Sequence, residues 1–263
     1  MMKQLNRVRY LHRIFLPMFF LLFLVGIWSM VAASGRIDRW ILPSPHAIFN
    51  AFHSSFTLLI SHAQVTLFET LLGMVIAVVL GILIASVLEQ VLFLKHTLYP
   101  FLIVSQTIPI ISVAPLLIIW FGFGIKAKVF IVALVCFFPI AINLLDGFRT
   151  VDAQQVKLLK TMGATSWQIF RKVKMPSAMP YLFAGLKIAA TYSVMSAIIG
   201  EWLGAAQGLG IYMTRASHSY LTANVFAAIL MIIMMSLVFY LIVELVERIL
   251  IPWHYDKDDV SYE

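Results

Sequence analysis

Charge is what this sequence has least of. Only 12% of its 263 residues are Asp, Glu, Lys or Arg, while 62% are hydrophobic. A water-soluble domain carries about 25% charged residues, so that class is excluded. Cysteine is almost missing too. The single copy, Cys136, lies in an apolar run, which rules out an internal disulfide and a cysteine metal cluster and leaves a small packing residue. The dipeptide Gly-Lys does not occur, so the phosphate-cradling G-x-x-x-x-G-K-[ST] loop is absent and the chain has no nucleotide engine of that kind. There is no His-Glu-x-x-His. The histidines are scattered, most of them (His12, His46, His53, His62, His96, His254) near the edges of apolar runs, which argues against a zinc site. A G-x-S-x-G elbow is missing as well, although sequence does not exclude a Ser–His–Asp arrangement. Charges within the apolar runs are few: Glu69, Lys187, Glu244 and Glu247, with Glu201 at a boundary. They do not make a midplane carboxylate relay of the sort that drives ion coupling.

What the chain does have is apolar length. Crossing about 30 Å of hydrocarbon takes about 20 apolar residues, and such runs recur at about 14–33, 66–88, 97–120, 129–145, 182–199 and 224–249. The expected fold class is all-α: a polytopic membrane protein with six transmembrane helices, forming one domain over residues 1–263. The first run is read as a retained span. A signal peptide cleaved near Ala32-Ala33-Ser34 is the competing reading, but its apolar part is normally about 7–15 residues, shorter than this one. Leu42-Pro43-Ser44-Pro45 forces an extended or turned chain, and a short interfacial helix is predicted to follow through Phe56. Gly73 and Gly81 permit close helix approach in the second run. Pro100, Pro109 and Pro115 predict kinks in the third, with freed carbonyls facing protein or water. Such kinks suit a translocation path, or simply the fit of a bundle. The Met231, Met234 and Met235 stretch reads as packing.

A net charge of +7 would suggest nucleic acid in a soluble protein. In a membrane chain it reflects basic inner loops, and no nucleic-acid partner is expected. With the amino terminus inside, the inner segments hold Lys3, Arg7, Arg9, Arg13, Lys95, Arg149, Lys157, Lys160, Arg171, Lys172, Lys174, Arg248 and Lys257. The outer segments hold only Arg36, Arg39, Lys126, Lys128 and Arg215. The positive-inside rule therefore puts both termini in the cytoplasm.

The longest polar interval, Val151–Tyr181, falls on that side. Asp152 with Gln155, and Thr165 with Gln168, have the spacing of helix-start capping boxes. Gly163 between them marks where one short helix ends and another begins. The second short helix carries Trp167, Ile169 and Phe170, then Arg171, Lys172 and Lys174, and is expected to stop at Pro176 and Pro180. An apolar and a basic side suit docking to a soluble partner, and equally a surface loop against anionic headgroups.

The spacing Gly163–x9–Val173–x–Met175–Pro176 resembles the cytoplasmic coupling loop of permease subunits of binding-protein-dependent ABC importers. The Glu-Ala-Ala that opens that loop in the family is replaced here by Lys157, Leu158 and Leu159. Pro115–Gly124, Ala184–Lys187 and Gly200–Gly210 are similar to the nitrate, sulfonate, taurine and thiamine-precursor pyrimidine branch, as is Leu42–Pro45. The resemblance covers about residues 42–253. It implies a chain that is not itself an enzyme and binds no cofactor, in a pore made with a second permease copy, a homodimer. It further implies two copies of an ATPase subunit that carry ATP and Mg, a periplasmic or lipid-anchored substrate-binding protein, surrounding membrane lipid, a bacterial inner-membrane location, and transport by alternating access. Carried over as coupling positions are Gly163, Ala164, Val173, Met175 and Pro176, to which Trp167 and Phe170 are added as an apolar docking face. Candidate pore or gate positions are Glu69, Pro109, Glu201, Trp202, Gly208 and Gly210. For Glu69 and Glu201 a satisfied interfacial carboxylate is the alternative, and for Gly200–Gly210 a plain turn. An ion-coupled secondary transporter without an ATPase, and a membrane anchor without a transport path, are the competing classes. The first would need a midplane titratable residue and inverted repeats. The second would need straight spans.

Overall fold

The computed structural model describes residues 2–253, with side chains from residue 15 onward, and the regular structure among them is entirely helical. The helices are α1 (Met2–Ala33), α2 (Pro45–Ser54), α3 (Phe56–Gln90), α4 (Leu92–Ser105), α5 (Ile110–Phe121), α6 (Ile125–Arg149), α7 (Ala153–Thr161), α8 (Ser166–Ile169), α9 (Met175–Trp202), α10 (Leu209–His218) and α11 (Thr222–Leu250). Among the described residues, five stretches are long and apolar enough to cross a membrane: Phe15–Ala33, Phe56–Gln90, Ile125–Arg149, Ser166–Trp202 and Thr222–Leu250. The pair α4 and α5 makes a sixth if taken as one broken span. The protein is thus an all-α, multi-pass membrane protein. The side chains of Lys3, Arg7, Arg9, His12 and Arg13, and the residues His254 and Lys257, lie outside the described part.

The sequence reading treats the chain as one domain, whereas its contacts gather into two compact units. The first comprises Met1–Ile60 with Tyr212–Leu230. Here the Leu-Pro-Ser-Pro segment acts as a helix start. Ser44 is the N-cap of α2, its hydroxyl accepting from the Ala47 N–H at 3.2 Å, and Pro45 occupies the first turn, where a missing N–H costs nothing. Trp28 Nε1 donates to the Pro43 carbonyl at 3.2 Å, and Asn224 Nδ2 donates to the Tyr212 hydroxyl at 2.9 Å. None of the Phe15–Ala33 span is buried against the chain, as suits a helix that faces lipid.

The second unit comprises Ser61–Ile211 with Met231–Glu263, and its centre is the pairing of α6 with α9. Cys136, Ile140 and Leu144 on α6 and Ala190 and Val194 on α9 are fully buried. Glycine sets the approach. A β-carbon on Gly185 would stand 2.6 Å from the Pro139 carbonyl oxygen, and one on Gly81 2.7 Å from Ile140 Cγ2. With no hydrophobic drive between helices in lipid, such close backbone contact is a main source of cohesion.

Three expectations change. The third span is not a kinked continuous helix but two helices that meet at 102°. Of its three prolines only Pro109 marks the break. As N-cap of α5 it has ψ near 120°, and it steers the preceding Ile108 away from helical geometry. Pro100 and Pro115 are accommodated inside α4 and α5. The second short helix does not stop at Pro176 or Pro180. A π-helical turn, Phe170–Lys174, carries the chain from α8 into α9, so Pro176 falls in the first turn of the long helix. Finally, the Gly-rich connection is followed by a further helix, α10, before the last span.

Candidate functional site

Three places combine polar groups with function-bearing geometry, and the polar interval is the first. Asp152 caps α7 through the Gln154 N–H at 2.8 Å, a simple cap rather than the reciprocal box expected with Gln155. At α8 the box is complete: Gln168 N–H donates to Thr165 Oγ1 at 3.3 Å, and Thr165 N–H to Gln168 Oε1 at 2.8 Å. Between them α7 closes with a Schellman motif. Gly163 N–H donates to the Lys160 carbonyl and Ala164 N–H to the Leu159 carbonyl, both at 3.0 Å, with Gly163 at φ +84°. A side chain there would strain the backbone, although a β-carbon would meet only open space.

The apolar face of this unit differs from the sequence reading. Phe170 is not part of an exposed face: it is buried, its ring 5.5 Å from that of Phe148 on α6. Trp167 lies three residues earlier on the same side and stacks over it at 5.7 Å, which leaves Trp167 as the outer layer. The exposed apolar surface is instead Leu158, Met162 and Trp167, at 61%, 75% and 58% exposure. Val173, Met175 and Pro176 are half-buried.

A cleft of about 630 Å³ is the second place. It opens at the α4–α5 break and is walled by α6 and α9. Pro109 lines it, as do Gln106, Phe138, Asn143 and Tyr192, and no lining side chain is charged. Ile188, Tyr192 and Met195, at helical spacing on α9, expose one stripe to it. Asn143 is held in place by donating to the Pro139 carbonyl at 2.7 Å.

The third place is a buried polar cluster behind the Gly-rich connection. Glu201, in the last turn of α9, is fully buried. It accepts from Thr66 Oγ1 at 2.6 Å and from the Gly210 N–H at 2.5 Å. Thr66 Oγ1 in turn accepts from the Leu209 N–H at 2.9 Å, and His62 Nδ1 from the Gly208 N–H at 3.0 Å. Consecutive backbone N–H groups of the connection are thus satisfied by side chains of α3 and α9, as burial requires. Gly208, at φ +127°, lies so close that a β-carbon would fall on the Glu201 carboxyl group. Beside them Glu69 forms a buried ion pair with Lys128.

Of the candidate pore or gate residues, only Pro109 lies in the cleft. Glu69, Glu201, Gly208 and Gly210 come together in the buried cluster, and Trp202 is half exposed beside it. The sequence reading counted Lys128 among the outer charges and His62 among the histidines at apolar-run edges, and did not single out Thr66. The available signal was polar residues at 62, 66, 69 and 70 in a mostly apolar helix, spacings that share one face.

Comparison with known proteins covers nearly the whole chain. The family described as binding-protein-dependent transport system inner membrane component matches residues 77–253. The formylaminopyrimidine transport permease protein ThiX of Halalkalibacterium halodurans is 35% identical over 90% of this chain and 95% of its own length. The riboflavin transport system permease protein RibX of Chloroflexus aurantiacus is 33% identical over 90% of this chain and 89% of its own. A chain from the solved inward-facing MetNI methionine ABC transporter superposes with a TM-score of 0.64 at 20% identity, over 74% of this chain and 97% of its own, a likeness of fold.

Proposed function

The chain belongs to the inner membrane components of binding-protein-dependent transport systems, and we propose that it is the pore-forming permease subunit of an ATP-driven bacterial importer. Two copies form the pore, two ATPase subunits holding ATP and Mg dock on the cytoplasmic side, and a periplasmic or lipid-anchored binding protein delivers the solute. The observation that carries the reading is the family match, which spans the cleft, the helix–Gly–helix unit and the Gly-rich connection. In this reading Leu158, Met162 and Trp167 form the seat of the ATPase, and both termini are cytoplasmic. The excess of Lys and Arg on the inner segments supports that orientation.

Gentle purification from native membranes, with intact-complex mass and ATPase assay, tests this. The expected particle holds two permeases and two ATP-binding chains. A lone permease without nucleotide hydrolysis, reproduced in several mild detergents, would point to an ion-coupled secondary transporter instead.

For the solute, the cleft favours an uncharged ring over a sulfonate. Its walls offer two amides, two hydroxyls, a phenol and apolar surface but no cation to match an anion. Relatives named for a pyrimidine and for riboflavin agree with that choice. In proteoliposomes a formylaminopyrimidine is expected to be imported and taurine not. Tyr192→Ala should lower uptake about fivefold by removing a stacking surface worth about 1 kcal/mol. Uptake of taurine alone would reverse the assignment.

A further inference from the structure

Glu89, the penultimate residue of α3, holds two cations that belong to different elements. Lys95 Nζ donates to its Oε2 at 2.5 Å and Lys174 Nζ to its Oε1 at 2.5 Å. The three side chains are 7%, 14% and 26% exposed for Glu89, Lys95 and Lys174 respectively, well withdrawn from solvent screening. Lys174 ends the π-helical turn of the Val151–Tyr181 stretch. Lys95 lies in the first turn of α4, whose other end is the break that opens the cleft.

The helix so tethered meets the core only through half-buried side chains, Leu94, Tyr99 and Leu102. No residue of α4 is fully buried. Its other polar anchor is Tyr99, whose hydroxyl donates to Asp146 Oδ1 at 2.9 Å and accepts from Arg149 Nη1 at 3.0 Å. Asp146 and Arg149 lie in the last turn of α6, directly before the same stretch. Both polar tethers of α4 therefore end on, or next to, the segment that the proposed function assigns to ATPase docking. A helix is stiff, and the roughly 15 Å from Lys95 to Ser105 makes α4 a lever with its moving end at the cleft.

We propose that Glu89 is a positioning residue for transport. Its double ion bridge transmits displacement of the docking segment to α4 and so to the mouth of the cleft. This rests on the permease reading. Each carboxylate oxygen serves one ammonium, so loss of the carboxylate both frees the helices and leaves Lys95 and Lys174 repelling each other.

The test uses the full permease–ATPase complex in lipid, with Cys136→Ala and a nitroxide attached at Gln106→Cys, an exposed position at the break. The probe is ATP with vanadate, so the solute need not be known. In the parent complex the nucleotide is expected to shift the label's spectrum. Glu89→Gln and Lys95→Met should each lose that shift while the ATPase chains stay bound and still hydrolyse ATP. Glu89→Lys combined with Lys174→Glu, which rebuilds a three-charge bridge with its carboxylate on the other element, should restore it. A full shift in Glu89→Gln or Lys95→Met would overturn the proposal, as would no shift in the parent complex. If no ATP-binding chain accompanies the parent permease, it is the permease reading that fails.

Discussion

Met162→Asp combined with Trp167→Asp is expected to strip the ATPase from the purified complex and leave the permease folded. Both side chains are mostly exposed; Trp167 covers only the outer side of the Phe170 ring, whose inner side stays packed on Phe148, so the substitutions leave the membrane-embedded packing intact. On the seat of a partner they are well suited to act as anchors. Truncating a central aromatic in an interface typically costs 2 kcal/mol or more, and placing a carboxylate in the vacated pocket adds desolvation. Together these should weaken association over a hundredfold, read as the ratio of ATP-binding chain to permease after affinity purification. Gly163→Ala serves as the graded comparison. Its β-carbon meets nothing, so the cost is the left-handed backbone alone, about 1–2 kcal/mol, and part of the ATPase should remain bound. Undiminished ATPase in the double variant would remove this surface from the docking assignment.

Glu201→Ala is expected to destabilise the permease itself. The substitution deprives the Gly210 N–H of its acceptor, leaves the Thr66 hydroxyl only the His62 carbonyl at 3.3 Å, and unsettles Leu209, whose N–H depends on that hydroxyl. Each buried donor left without a partner costs about 1–3 kcal/mol, so a total of about 3–5 kcal/mol is expected. The melting temperature in a mild detergent should fall by roughly 10 °C. Glu201→Gln keeps the shape and one acceptor oxygen, and should cost about half as much. Gly208→Ala should match Glu201→Ala, because the added carbon falls on the carboxyl group and the backbone is left-handed. A melting curve unchanged by Glu201→Ala would mean that the cluster is a surface of convenience rather than the fastening of the Gly-rich connection.

The prolines show how local signals divide. Pro45 and Pro109 each sit at a helix start, and there a missing N–H and a restricted preceding residue decide the backbone whatever surrounds them. Pro100, Pro115 and Pro180 carry the same local signal yet lie within helices, as apolar membrane helices tolerate them. Phe170 makes the same point for side chains. Its spacing with Trp167 puts both on one helix face, but Phe148, more than twenty residues earlier, determines that Phe170 is the inner layer and Trp167 the outer.

By itself the sequence determined the solvent, the fold class and the local punctuation. Run length and scarce charge require lipid around helices. The Thr165–Gln168 box and Gly163 specify a helix–Gly–helix unit, because capping is chemistry between residues a few positions apart. Tertiary structure alone decided which distant groups meet. Glu201 with Thr66, Glu69 with Lys128, and Glu89 with Lys95 and Lys174 are pairings made by three long helices brought side by side, apart from the short step from Glu89 to Lys95. No spacing rule relates residues on separate helices. In a low-dielectric interior it is the need to satisfy every buried charge and N–H that selects those partners once the helices have packed.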